Sequence, residues 1–254
     1  MQIIINGCEG KMGKTLVNLI KSTKHKIICG VSTQEKKNLE FLVLDNINKF
    51  DLKADVLIDF SNAKAVANII NYCVKKKLPA VICTTGLDNQ TEELIISASK
   101  IIPVFKSANM SLGINILNLI LEDFSNILFN LDFDIEILEK HHNKKLDAPS
   151  GTALLLSETI KKSIINQDLN LDYSRNHLRN KNDLGISCVR GGTIIGEHEI
   201  IFAGPNETIE LKHIAQSREI FAIGAIRAAE FILNKPNGLY TMRDLIKNIL
   251  ALNK

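Results

Sequence analysis

The amino-acid sequence predicts an α/β fold: a Rossmann-like parallel sheet domain with an inserted α+β domain. Three observations carry this. Short β-branched apolar runs alternate with segments of helical period along the first part of the chain, the pattern of a parallel sheet covered by helices. A glycine-rich turn, Gly7-Cys8-Glu9-Gly10-Lys11-Met12-Gly13, stands between the first such run and the first helical segment. After Gly185 the period changes to alternation broken by Gly191-Gly192 and Gly204-Pro205-Asn206, which signals a second sheet with antiparallel strands.

Taken in order, strands are expected at residues 2–6, 26–31, 55–59, 80–84 and 103–106, with helices at 11–20, 63–77 and 89–100, each helix repeating apolar residues at three and four. Beyond Ile114 a long apolar helix runs through Phe124, followed by a strand over 132–138 and a helix over 151–165. Residues 166–183 are polar and aperiodic and read as an exposed loop. Strands follow at 186–190, 193–202 and 207–213, then a helix from Glu219, a break at Lys235-Pro236-Asn237-Gly238 and a final helix over 241–252. The expected domains are a dinucleotide-binding domain, residues 1–108 plus 219–254, and an inserted domain, residues 109–218, with hinges near Asn109 and Arg218. Closure about them is expected to exclude water from the reacting groups.

With 45% hydrophobic residues the 254-residue chain can bury a full core. A net charge of +3 from 31 basic and 28 acidic side chains is too balanced for a broad positive face, so no nucleic acid is expected; small anions are the ligands such an excess favours. Five scattered cysteines lack C-x-x-C spacing, which suits reduced thiols better than a disulfide framework or zinc site. Neither a secretory signal nor a segment apolar enough to span a bilayer is expected, so the reading is a cytoplasmic protein with no membrane partner.

Two constellations carry chemistry. The glycine turn lies where a dinucleotide pyrophosphate sits against backbone N–H groups, although Gly-x-x-Gly-x-x-Gly departs from the usual spacing and such turns also serve as plain connectors. At the end of the second strand Ser32, Thr33 and Gln34 replace the acid that favours NAD; Lys36 and Lys37 either pair with a ribose phosphate, permitting NADPH as well as NADH, or are solvated loop lysines. The loops at 83–86 and 107–110 occupy strand ends where such folds bind cofactors, with Thr84 and Asn109 as polar candidates beside the alternative of ordinary turn chemistry.

The second constellation is Glu139-Lys140-His141-His142-Asn143-Lys144-Lys145-Leu146-Asp147-Ala148-Pro149-Ser150-Gly151-Thr152. His141 and Lys145 are candidate general acids, and Ser150-Gly151-Thr152 supplies an N-cap and free amides beside them, a combination suited to a carboxylate. On extended backbone His141 and His142 point to opposite sides, which argues against a shared metal and leaves Glu136 and Glu139 without a clear ligand role; no metal is expected.

These motifs resemble the dihydrodipicolinate reductase family. The resemblance runs nearly end to end, through Gly7 to Gly13, Asp59-Phe60-Ser61, Thr84-Thr85-Gly86, Ala108-Asn109-Met110-Ser111, Glu139 to Leu154, Arg190-Gly191-Gly192-Thr193, Gly196-Glu197-His198-Glu199, the stretch from His213 to Phe221, and Gly238 to Met242. It implies hydride transfer from NADH or NADPH to the ring formed from 4-hydroxy-tetrahydrodipicolinate after loss of water, then protonation of the neighbouring carbon, in diaminopimelate and lysine biosynthesis. It further implies His141 as proton donor or acceptor, Lys145 as proton donor, and His142, Gly151 and Thr152 as contacts to a small dicarboxylate substrate. Cofactor contacts are implied at Gly7, Cys8, Glu9, Gly10, Lys11, Met12, Cys83, Thr84, Thr85, Ser107, Ala108, Asn109 and Met110. The inserted domain is implied to bind substrate and to assemble a homotetramer through an open mixed sheet. Many members carry Arg-His or similar where this chain has Asn143-Lys144, and some carry the acid missing from its second strand. Rival readings are an amino-acid dehydrogenase, which has no reason to keep His-His-x-x-Lys with Ser-Gly-Thr, and a nicotinamide-sensing regulator, which could lose its proton donors.

Overall fold

The computed structural model describes residues 1–33 and 40–252; the expectations placed on Gln34, Lys36 and Lys37 lie outside the described residues. The chain divides into two compact units, Met1–Leu112 with Arg218–Lys254, and Gly113–Ser217.

The first unit holds a seven-stranded sheet, and β1 (Gln2–Asn6) shows why it forms. Ile3 and Ile5 face one core, with Leu16 of α1 (Lys11–Ile20) and Ala225 and Ala229 of α6 (Glu219–Ile232). Ile4 faces the other, with Ile69 and Ile70 of α2 (Ala63–Lys76) and Ile95 of α3 (Asn89–Ser99). All three isoleucines are fully buried, so an apolar run with no alternation is what a strand covered on both faces requires. Each is worth about 1.5–3 kcal/mol of burial. The remaining strands are β2 (Lys26–Val31), β3 (Leu42–Leu44), β4 (Val56–Asp59), β5 (Ala80–Ile82), β6 (Pro103–Lys106) and β12 (Gly238–Tyr240). Their order, β12-β6-β5-β4-β1-β2-β3, is parallel throughout. The direction of winding reverses between β1 and β4, so a crevice opens beyond their carboxyl ends.

The second unit packs α4 (Leu112–Asn130) and α5 (Gly151–Ser163) on one face of a five-stranded sheet ordered β11-β10-β7-β9-β8. Here alternation is strict. In β7 (Asp134–His141) Ile135, Ile137, Glu139 and His141 are buried, while the residues between them stay half-buried. The strand's second half therefore turns a carboxylate and an imidazole toward the side on which its first half places isoleucines. β10 (Gly196–Ala203) pairs antiparallel with both β7 and β11 (Thr208–Ala215).

Several expectations need correction. β9 (Asp183–Arg190) runs parallel to β7, not antiparallel, because the long connection before it returns the chain to the start of the sheet. That connection is not wholly exposed loop: it contains β8 (Asn170–Asp172), and Leu169 and Asp183 are buried. β7 ends at His141 rather than near residue 138. β3 and β12, three residues each, are too short for a periodic signal. Helix α4, with 19 residues and a mean hydropathy of 1.3, is long and apolar enough to cross a membrane, contrary to expectation. The same helix buries Leu117, Leu121 and Phe129 in the core of the second unit.

Gly224 of α6 lies so close to Met110 that a Cβ there would stand 1.8 Å from the Met110 carbonyl oxygen. Alanine gains about 1 kcal/mol of helix propensity but meets backbone that cannot swing aside, at a cost of about 1–3 kcal/mol or more. Gly224→Ala is expected to lower the urea midpoint of the first unit; an unchanged or raised midpoint would show that the contact relaxes freely.

Candidate active site

In the first unit the turn after β1 is built by steric necessity. Gly7 has φ +78°, and a Cβ there would come within 2.6 Å of the Phe60 carbonyl oxygen. A Cβ on Gly13 would fall 2.0 Å from the Gly7 carbonyl oxygen. The turn thus folds tightly between β4 and α1. Gly10, the N-cap of α1, offers no side-chain hydrogen bond, and the first turn of that helix carries no acid. Its opening N–H groups are suited to an anion. A crevice of about 450 Å³ runs along Gly7, Glu9 and Gly10, past Val31, Ser32 and Thr33, to Phe60 and Ser61. These features fit a dinucleotide: glycines admit close approach and the helix start receives the diphosphate.

Asp59, fully buried at the end of β4, organises the crevice floor. It accepts from Asn6 Nδ2 at 2.6 Å, Ser61 Oγ at 2.6 Å and Thr84 Oγ1 at 2.6 Å. Burial raises its pKa, and the bonds from Ser61, Thr84 and Asn6 oppose the rise. The Thr84 hydroxyl is therefore committed to Asp59 and also accepts from Ser61 N at 3.1 Å. Thr85 is exposed, whereas Cys83 is buried. At the end of β6, Ser107 Oγ donates to the Asn109 carbonyl at 2.8 Å, and Asn109 Oδ1 accepts from Ser111 N at 2.9 Å. Met110 is buried, and Cys8 with it, while Lys11 and Ala108 are exposed and Met12 half-buried.

The second unit gathers the histidine block around Glu139. Its carboxylate is fully buried, shares a hydrogen bond with His141 Nδ1 at 2.5 Å, and accepts from Arg190 Nη1 and Nη2 at 2.8 and 2.7 Å and from Ser150 N at 3.0 Å. Burial alone would raise its pKa; the bonds from Arg190, His141, Cys188 and Ser150 outweigh that and hold it at about 2. The His141 pKa is lowered by burial, with Glu139 opposing and Lys145 and Arg190 adding to the fall. Ser150 caps α5, its Oγ accepting from Ala153 N at 3.2 Å and sharing a hydrogen bond with His198 Nε2 at 3.0 Å. Gly151 and Thr152 are thus the first two residues of a capped helix. The His198 and His141 rings meet edge-on, centroids 5.2 Å apart.

His142 stays half-buried as His141 is buried, and Lys145 Nζ donates to Asp147 Oδ2 at 2.9 Å. Arg190 Nη2 also donates to the Asp147 carbonyl at 2.8 Å, tying the loop to β9. His141, Lys145, Ser150, Gly151 and Thr152, expected together from their spacing, lie around three residues to which the sequence alone assigns no role: Glu139, Arg190 and His198. The signal was present, since period-two alternation puts Glu139 on the face of His141 and an acid on a core-facing position demands partners. Among the described residues one group, Asp172, His177 and Asp183, brings metal-type donor atoms within 4.8 Å of one another, and it includes neither His141 nor His142.

Burial first, then His141, lowers the His198 pKa from 6.5 to about 4. Because the folded value is below the unfolded one, its contribution to stability is present above pH 6.5 and lost as pH falls toward 4, an effect of about 3 kcal/mol. Glu139, whose ordinary value is 4.5, is lost only below that pH. His198→Asn is expected to flatten the fall of thermal midpoint between pH 6.5 and 4; an unaltered slope would assign that window to other groups.

Two family models cover the chain, "Dihydrodipicolinate reductase, N-terminus" over residues 1–110 and "Dihydrodipicolinate reductase, C-terminus" over 113–246. A protein of Clostridium novyi (strain NT) named 4-hydroxy-tetrahydrodipicolinate reductase is 48% identical over 97% of this chain and 98% of its own length. One of the same name from Rickettsia rickettsii (strain Sheila Smith) is 41% identical over 97% and 99%. Among solved structures, a dipicolinate-bound dihydrodipicolinate reductase from Paenisporosarcina sp. TG-14 has the same fold, with a TM-score of 0.77 at 20% identity over 95% of this chain and 97% of that one. Matched over nearly its full length by both halves of the family and by relatives well above 30% identity, the chain belongs to the dihydrodipicolinate reductase family.

Proposed function

We propose that the chain reduces 4-hydroxy-tetrahydrodipicolinate, through dihydrodipicolinate, to tetrahydrodipicolinate in diaminopimelate and lysine biosynthesis, with His141 and Lys145 supplying the proton. The observation that carries this reading is a buried imidazole whose Nδ1 is tied to an ionised carboxylate, set beside the capped start of α5. A dicarboxylate needs donors and a proton source together, and this cluster offers both. A substrate carboxylate would meet Gly151 and Thr152 at the start of α5, taking over the Gly151 amide that donates to Asp147 in this structure, and His142 adds a side-chain contact. Lys145, braced by Asp147, keeps an ammonium next to the same helix start. Its charge attracts the dianion, and its proton is available to the ring.

Either NADH or NADPH supplies the hydride when bound. Gly7, Cys8, Glu9, Gly10, Lys11 and Met12 form the diphosphate turn in this reading; Cys83, Thr84 and Thr85 with Ser107, Ala108, Asn109 and Met110 form the flanking strand-end loops. Thr84 acts there through Asp59, since its hydroxyl is already given to that carboxylate. The active assembly is a homotetramer formed through the uncovered face of the second sheet, where Val189 and Ile214 stand exposed. Five free thiols accord with a cytoplasmic enzyme.

The test is loss of reduced-cofactor absorbance when the purified chain is mixed with the product of dihydrodipicolinate synthase, run with NADH and NADPH side by side. Oxidation of at least one is expected; none with either would favour a nicotinamide sensor. His141→Ala and Lys145→Ala should each lower kcat about 10²-fold or more. Near-normal turnover in both would refute the roles given to them.

A further inference from the structure

Glu139 and His141 lie two residues apart on β7 and share its inward face. Glu139 accepts from Arg190 Nη1 on Oε2 and from Arg190 Nη2 and Ser150 N on Oε1, and its Oε2 faces His141 Nδ1. Three N–H donations, two of them from a guanidinium that is always charged, fit a carboxylate rather than a neutral carboxyl. Arg190 stands opposite His141 and Cys188 opposite Glu139 in the register of β9; Ser150 comes from the start of α5. Glu139 is thus fixed by elements other than its own strand, and would stay in place if the imidazole turned.

An ionised carboxylate can only accept, so the ring nitrogen that faces it carries hydrogen. In the neutral ring Nε2 is then bare, and protonation occurs there. Beside Nε2 lies Gly196 of β10, where a Cβ would stand 3.0 Å from that nitrogen. Gly196 itself puts no side chain against the atom where the proton must arrive and leave.

We propose that Glu139, clamped by Arg190, is a positioning residue that holds His141 with Nδ1 protonated and makes Nε2 the atom that takes up and delivers the proton; this rests on His141 being the proton carrier. The charged and titratable groups facing the ring are Glu139 from β7, Arg190 from β9, His198 from β10 and Lys145 from the following loop, with His213 of β11 behind His198. Asp147 is engaged by Lys145 and by the Gly151 amide. Glu139 is therefore the one acid among them acting directly on the ring, and its removal leaves His141 among cations.

Nitrogen-15 NMR of the histidine rings in the full-length wild-type chain gives a test that needs no variant. Above its titration His141 is expected in the Nδ1–H form; the Nε2–H form, which a free imidazole prefers, would overturn the proposal. In Glu139→Gln the alkaline fall of kcat should move to lower pH by about one unit or more, with kcat at alkaline pH down about 10²-fold and partly regained on acidification. The KM for the nicotinamide cofactor should not change. A uniform loss of kcat with an unmoved profile would mean that Glu139 only supports the fold, and would overturn the proposal. If the His141 titration seen by NMR drops in Glu139→Gln while the kcat profile stays, the proton-carrier reading itself fails and this inference falls with it.

Discussion

A single buried carboxylate organises the second unit's chemistry. Glu139 sits with no exposed surface on the face of β7 that also buries Ile135 and Ile137, an environment that penalises an unpaired charge by several kcal/mol. It is tolerated because a bidentate guanidinium, an imidazole and a backbone amide all point at it. The same bonds fix four things at once: the ring of His141, the β9 end at Arg190, the position of Ser150 and hence the direction in which α5 begins. Stability and chemistry share one set of contacts, so each substitution here has two readouts.

The first unit is arranged by a comparable logic at lower cost. Asp59 is also fully buried, but its donors are hydroxyls and an amide rather than charges, and its pKa rises instead of falling. The contrast separates the two carboxylates by task. Glu139 is an anion that holds a titratable ring; Asp59 is a hub joining Asn6 of β1, Ser61 after β4 and Thr84 after β5. Three strand ends that lie side by side at the winding reversal are thereby held in register beneath the crevice.

The sequence was most legible where burial imposes a period. β1, β2, β6, α1 and the start of α6 are found at the residues expected, because an uninterrupted apolar run and a three-four repeat each have one structural meaning when both sheet faces are covered. The glycine turn was legible because Gly7 and Gly13 admit no side chain. What stayed hidden has physical causes. β3 and β12 are too short to show a pattern, and the direction of β9 depends on where a polar connection leads. Arg190 and His198 escaped because they reach the site through strand register: 51 residues separate Arg190 from Glu139 and 48 separate His198 from Ser150. Glu139 is visible in the alternation, which marks it as core-facing, but residue type alone gives it no metal-ligand role and names no partner for it.

These contacts make a specific demand on a bound dicarboxylate. A crystal structure of the chain with pyridine-2,6-dicarboxylate tests it most directly. One carboxylate should lie on the backbone amides of Gly151 and Thr152, with His141 Nε2 turned to the ring and Nδ1 still on Glu139. A ligand bound elsewhere in the second unit, or an imidazole rotated off Glu139 and away from the ligand, would contradict the account.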